Sequence, residues 1–480
     1  MSERAFYPMS LSVSAGKTRY HSSGPVMFRR FYDEGLAQAS YLVACARTGK
    51  GAIVDPRRDG DVYVTAARQL GVEIVAAIET HIHADFVSGA RELAAIGAEI
   101  FAGPGSALAF AAHEVRHGER LSLGDLTLEF LHTPGHTPEH VCVLASQEGE
   151  PVRLFTGDTL FVGAVGRPDL LGPAQMQTLA GQLYDSLTAT ILSLDDSLEV
   201  HPGHGAGSLC GAHIGAEPAS TIGRERATNP MLREMPRDTF VAAVLADLPE
   251  TPPYFSRMKK INREGPTLLG LAHGWSGAGA IEPATAQQAL EDGAILMDLR
   301  DAEAFAASHP AGALNIPFGP KIGYWAGWVI PAGARIVLLA SDLSAAADAG
   351  RQLLRVGLDA VLGYVNGGAE AWQAAQLPVA RITRLKARDF AERLRSGAAL
   401  TIVDVRTDAE WRDGHVDGSV NVPLAHLVER IAEVPRDHAV ATICESGNRS
   451  AIAASILARA GFGLAVDVGG GMAALRDVRR

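Results

Sequence analysis

Seven of the sixteen histidines are concentrated in three short stretches. The first, Thr80-His-Ile-His-Ala-Asp-Phe-Val-Ser-Gly89, follows the apolar run Ile74–Ile78 and so reads as a loop at a strand end. Its i, i+2 histidines, His81 and His83, can project from an extended turn toward one point. The second, His132-Thr-Pro-Gly-His-Thr-Pro-Glu-His140, is followed by Thr156-Gly-Asp-Thr159; the third is His201-Pro-Gly-His-Gly205. Neutral imidazoles and a carboxylate converging from loops make a site for a hard-to-borderline metal ion. One such histidine would read as a satisfied core or surface residue. Three clusters beside glycines and an aspartate read as a metal centre.

A second chemistry stands near the C-terminus. Ala439–Ile443 reads as a buried strand running into Cys444-Glu-Ser-Gly-Asn-Arg449, and a helix begins at Ser450. A strand–loop–helix turn of this kind points backbone N–H groups inward and adds a helix N-terminus, which stabilises an anion or thiolate at its centre. Cys444 is therefore the candidate nucleophile, with Arg449 as its cationic helper. Glu445, Ser446, Gly447, Asn448 and Ser450 complete the loop.

The elements that position these groups fall into three units, as about 150 residues per domain suggests for a chain of 480. Val26–Tyr32, Tyr41–Cys45, Ala52–Val54, Ile74–Ile78, Glu99–Phe101, Leu126–Phe130, Val141–Leu144 and Arg153–Phe155 read as short strands with few crossover helices, a sheet-rich α+β layer architecture. Gly207 to about Pro266 is helical and linker-like. The remainder is an internal repeat at an offset of 106 residues. Asp298-Leu-Arg300 meets Asp404-Val-Arg406, Phe305 meets Trp411, His309 meets His415, and Gly312–Pro317 meets Gly418–Pro423. Each copy has the pattern of a small parallel α/β sheet. The expected units are 25–265, 280–380 and 384–480.

Composition excludes other classes. With 47% hydrophobic and 20% charged residues the chain can bury ordinary cores, and a net charge of -11 without Lys/Arg runs disfavours nucleic acid and membrane surfaces. No apolar run approaches the ~18 residues of a membrane span. The N-terminus lacks the apolar region of a secretory signal. The four cysteines, widely spaced without a CxxC pair, argue against a disulfide scaffold or a thiolate zinc site. Cys45 and Cys142 sit in strand-like runs and read as core. A cytoplasmic location is expected.

THxHxD, TPGHTPxH, GD and PGHG, in this order and spacing, resemble the metallo-β-lactamase superfamily over roughly residues 25–240, which implies an αββα sandwich with metal at its top. The family's binuclear hydrolases read HxHxDH, and here the last position is Phe86. A second metal site would draw on Asp85, the missing histidine and His204, so the departure implies a mononuclear centre. The sequence is then similar to the persulfide dioxygenase branch, as are Gly166-Arg-Pro-Asp-Leu170 and Glu225-Arg-Ala-Thr-Asn-Pro230. That resemblance implies one ferrous iron per chain, zinc being the alternative, held by His81, His136 and Asp158. It leaves His83, Asp85, His140 and His204 as outer residues. Arg167 reads either as a partner for a substrate carboxylate or as a brace on Asp169 or Asp158. Cys210 reads either as a transient persulfide carrier or as an inert small thiol.

The Cys444 loop, with Asp404-Val-Arg406, Glu410-Trp411, Gly414–Pro423 and Gly469-Gly-Gly-Met472, resembles the rhodanese sulfurtransferases. Related phosphatases place five residues between Cys and Arg; four stand here, which suits a terminal sulfur. The first copy has Ser341 and no cysteine, so it is expected to be inactive in sulfur transfer, with a packing, spacing or dimerising role. The joint order resembles persulfide dioxygenase–rhodanese fusions. It implies oxidation of a persulfide of glutathione or another low-molecular-weight thiol by dioxygen to sulfite, sulfur transfer that gives or uses thiosulfate, and a homo-oligomer. Two rivals are a zinc thioester hydrolase of glyoxalase type and a non-catalytic sulfane-sulfur carrier or sensor.

Overall fold

The computed structural model describes residues 26–246, 248–275, 277–463 and 465–479. The front domain is built on two six-stranded sheets. In the first, Val26–Asp33, Gln38–Cys45 and Lys50–Val54 run antiparallel; Glu73–Glu79, Glu99–Ala102 and His113–Glu114 continue in parallel. The second is ordered Ser220–Thr221, Glu199–Pro202, Glu150–Gly157, Val141–Gln147, Leu126–His132, Glu119–Ser122. Strand Gln38–Cys45 shows how the layers arise. Successive side chains of a strand point to opposite faces, and all eight residues here are buried. Ala39, Tyr41, Val43 and Cys45 pack between the sheets against Leu128, Phe130, Val143 and Phe155. Leu42 and Ala44 pack outward beneath helix Asp61–Leu70. Helices Pro173–Asp185 and Arg237–Ala246 cover the far sheet over Leu144, Leu154 and Val200. The result is a helix–sheet–sheet–helix sandwich.

The two back domains carry five-stranded parallel sheets of the same topology. Their kinship extends to single bonds. Arg300 forks onto Asp298 as Arg406 does onto Asp404. The Asn315 amide donates to the carbonyls of Asp298 and Arg300, and the Asn421 amide to those of Asp404 and Arg406. Phe305 stacks on His309 at 3.8 Å, and Trp411 on His415 at 3.7 Å. The expected helix from Ser450 starts two residues earlier, at Asn448, and runs to Arg459.

Helix Phe255–Glu264 links front to back. Across that junction Arg355 pairs with Asp33 and Asp59, Arg351 with Asp61 at 2.6 Å, and Arg58 with Asp359 at 2.7 Å. Among the described residues no helix is long and apolar enough to cross a membrane.

Candidate metal centre and cysteine loop

The three histidine stretches meet where the strands end. Strand Glu73–Glu79 delivers His81, the loop after Leu126–His132 delivers His136, the end of Glu150–Gly157 delivers Asp158, and Glu199–Pro202 delivers His204. Potential ligand atoms of His81, His136 and Asp158 lie within 4.8 Å of one another, all on buried residues. Asp158 Oδ2 is 3.4 Å from His136 Nε2 and 3.8 Å from His81 Nε2. Asp158 Oδ2 and His81 Nε2 are fully buried without a hydrogen-bond partner. Buried polar atoms are seldom left unpaired, and ligands at ~2.1 Å from one ion stand about 3–3.5 Å apart. The residues present therefore fit a metal ion.

Electrostatics agree. Burial, with the neighbouring imidazoles, keeps His81 well below the ordinary histidine range, and burial likewise lowers His136. Both rings are thus neutral and offer a lone pair. His136 Nδ1 donates to the Arg167 carbonyl at 2.8 Å, which directs Nε2 inward. Burial opposes ionisation of Asp158, but the charge and hydrogen bond of His204 outweigh it and hold the carboxylate far below its ordinary range.

The remaining candidates surround this set. His83 turns away: its Nε2 lies 3.1 Å from Asp55 and 3.3 Å from Glu79, whose charges overcome burial and raise it well above its ordinary range. Asp55 and Glu79 escaped sequence reasoning, although Asp55 ends an apolar strand much as the motif histidines do. His140 Nε2 accepts the Asp158 N–H at 3.0 Å, and its Nδ1 meets the Thr133 and Thr159 hydroxyls, so both nitrogens are occupied. His204 bridges Asp158 (2.7 Å) and Asp85 (2.9 Å). Phe86 is fully buried with its ring 4.3 Å from that of His83.

For Arg167 and Cys210, each open to two readings in the sequence, the geometry favours one. Arg167 is not available to a substrate carboxylate: Asp169 takes it through two oxygens, and the Leu209 carbonyl and Thr251 hydroxyl take its other N–H groups. Its role is the brace. Cys210 is buried, and burial with Asp85 and Asp158 pushes its thiol well above the ordinary range. That disfavours a nucleophilic persulfide carrier. Its sulfur instead groups with Asp85 and His204 within 4.8 Å, a second potential ligand set where a single one is expected from the sequence, and Asp55, Glu79 and His83 form a third. Cys45 and Cys142 are core, and burial pushes Cys142 up to about 12.

Cys444 follows the buried strand Ala439–Ile443. Its Sγ receives the Gly447 N–H at 3.1 Å and lies 3.6 Å from Ser450 Oγ, which in turn donates to Asp467. Gly447 sits at φ +94°, and an added Cβ would lie 2.8 Å from the Gly470 nitrogen, so only glycine serves there. Arg449 is clamped by both oxygens of Glu410 at 2.7 and 2.6 Å. Glu410 is itself placed by a capping box with Thr407. Burial raises Glu410, but Arg449 and the Thr407 backbone outweigh it and bring it down to about 2. Glu445 pairs with Arg406 and Arg476, while Ser446 and Asn448 are exposed at the loop's outer side. In the sibling copy Ser341 is exposed and bonds Asp342, which caps helix Leu343–Arg355.

Residues 33–204 match the model of the metallo-beta-lactamase superfamily, and 282–375 and 386–477 each match that of the rhodanese-like domain. A hydroxyacylglutathione hydrolase from Anaeromyxobacter dehalogenans is 36% identical over 232 residues, 43% of this chain and 84% of that protein. The chain belongs to the metallo-beta-lactamase superfamily. Two rhodanese-like domains follow its superfamily domain. A metallo-beta-lactamase structure from Staphylococcus aureus superimposes with TM-score 0.63 at 35% identity, covering 71% of this chain and 99% of that one. The structure of ETHE1 from Myxococcus xanthus gives TM-score 0.43 at 28% identity, covering 49% and 98%. Of several other curated hydroxyacylglutathione hydrolases the chain spans only 54% to 62% of the length.

Proposed function

We propose that the front domain uses one iron per chain to oxidise the outer sulfur of a low-molecular-weight persulfide, and that Cys444 exchanges sulfane sulfur among persulfide, sulfite and thiosulfate. One observation carries the reading: His81, His136 and Asp158 stand as a three-ligand set while His83 is committed to Asp55 and Glu79, and Phe86 replaces an imidazole. An iron held by these three residues would supply redox chemistry toward dioxygen. The chain's part is to hold the two imidazoles neutral, to orient His136 through the Arg167 carbonyl, and to keep the ligand residues buried from bulk water. The net reaction takes a persulfide, a dioxygen and a water to a thiol, a sulfite and two protons.

At the second site the Cys444 thiolate attacks the outer sulfur of a persulfide. The S–S bond breaks and the carrier leaves as thiolate. Sulfite then takes the outer sulfur from Cys444, giving thiosulfate and restoring the Cys444 thiolate. The Gly447 N–H and the N-terminus of helix Asn448–Arg459 stabilise the charge on sulfur before and after the exchange. Carriage of both sites on one chain raises the effective concentration of sulfite at Cys444.

The hydrolase relatives favour a second reading, a zinc thioester hydrolase acting on an acylated thiol, and the Asp85–His204–Cys210 group could serve a second ion in it. One pair of assays separates the two: oxygen uptake with glutathione persulfide, and hydrolysis of an acylglutathione thioester, on protein whose metal has been determined. Iron with oxygen uptake supports the first reading; zinc with hydrolysis and no oxygen uptake replaces it.

A further inference from the structure

We infer that the cysteine-free rhodanese-like copy is a working part of the metal centre, because it and helix Phe255–Glu264 together hold the loop that carries His81. This loop, His81–Ser88, has no regular secondary structure, so its buried N–H and C=O groups need partners from elsewhere. The front domain supplies those on one side: the Glu139 carboxylate accepts the Ile82 N–H, and Asp55 anchors the residue before the loop by accepting the Thr80 N–H. On the other side the partners come from outside the sandwich. Asn262, buried in the linking helix, donates to the carbonyls of His83 (2.9 Å) and Phe86 (2.7 Å) and accepts the Ser88 N–H (2.9 Å). The Val87 N–H donates to the carbonyl of Arg355, the last residue of helix Leu343–Arg355 in the cysteine-free copy, at 2.7 Å.

The three bodies meet around Gly357. A Cβ on Gly357 would meet Ile261 and Met258 of the linking helix and Val87 of the loop at 3.0, 3.1 and 3.4 Å. The copy is pinned there by its own charges, since Arg355 lies between Asp33 and Asp59 of the front domain. Asn262 and Arg355 are thus positioning residues: neither offers a metal ligand, yet both determine where the His81 loop stands. A site loosened by about an ångström loses function, so a domain without a nucleophile is retained for its grip on this loop. The inference rests only on the front domain's binding a metal, and holds for either reaction above.

Cobalt(II) is the probe, in the full chain. Asn262→Asp keeps the acceptor but loses both donors; Arg355→Met releases the copy from Asp33 and Asp59. Each variant should lose cobalt to a chelator at least tenfold faster than wild type and show a shifted d–d absorption band. The rate of Cys444 alkylation should not change. A purely structural role would lower the melting temperature without moving the spectrum of the folded protein. If both variants fold and keep the wild-type spectrum and chelation rate, the inference is overturned. Linkage supplies a test on wild type, independent of any variant: cobalt should slow hydrogen exchange in 255–264 and 350–358. Slowing confined to the sandwich would contradict the inference. A wild-type chain that takes up no cobalt would instead contradict the metal reading itself.

Discussion

His136 commits one ring nitrogen to a carbonyl and leaves the other facing a buried, unpartnered carboxylate oxygen, and this asymmetry marks it as a ligand rather than a core histidine. His136→Ala should therefore lose metal by more than the about 10–100-fold that removal of an outer partner costs. Sulfur transfer at Cys444 should persist; metal analysis and a thiosulfate assay on the one variant check both. The Glu410–Arg449 pair carries a pH signature. Its carboxyl titrates at about 2 in the folded chain, against about 4.3 unfolded. A depressed folded value means the pair's contribution is complete above the unfolded value and is lost as pH falls through about 2. Urea melts of wild type and Glu410→Gln should differ by a constant amount above pH ~5 and converge toward pH ~2. The motif residues were legible because each lies within a few positions of another. Asn262 was not: it sits in a charged helix more than 170 residues from the loop it holds, with no local pattern to distinguish it from a solvated side chain.

At the scale of elements, strand ends meet the site through glycines that leave no room for a side chain. Gly157 has φ +47°, and a Cβ there would lie 2.6 Å from His140 Nε2 and from Thr80 Oγ1. Gly157→Ala should destabilise the front domain by about 2 kcal/mol or more and displace Asp158, its neighbour. Thermal melting and metal content on the same preparation test this, and wild-type values for both would refute it. The longer strands were legible because short β-branched runs survive in the sequence, and Tyr41–Cys45 reads as a continuous apolar run because both faces of strand Gln38–Cys45 are covered; the short strands Glu119–Ser122 and Glu199–Pro202, rich in polar residues, were not. Arg167 was ambiguous for a physical reason. Its partners Leu209 and Thr251 come from later loops, and only folding decides whether a guanidinium spends its donors internally.

For the whole molecule, the repeat was visible as an offset in sequence and recurs bond for bond in the two Asp–Arg–Asn clusters. How the units dock was not visible, since the junction is built from charges, Arg351, Arg355 and Arg58 against Asp61, Asp59, Asp33 and Asp359, that look like ordinary surface residues in the chain. Losing one partner of a buried pair costs about 3–5 kcal/mol. Asp59→Asn should accordingly lower the midpoint of front-domain unfolding while the Cys444 domain melts as before, a split that calorimetry resolves. Under the proposed function two independent sites share this chain, one metal-dependent and oxidative, one at Cys444. Its most direct test is oxygen uptake with glutathione persulfide on Cys444→Ser, with sulfite and thiosulfate measured together. Oxygen uptake is expected to stay close to wild type, with product shifted from thiosulfate to sulfite; equal loss of oxygen uptake and sulfur transfer, in folded protein with full metal content, would overturn the independence of the two sites.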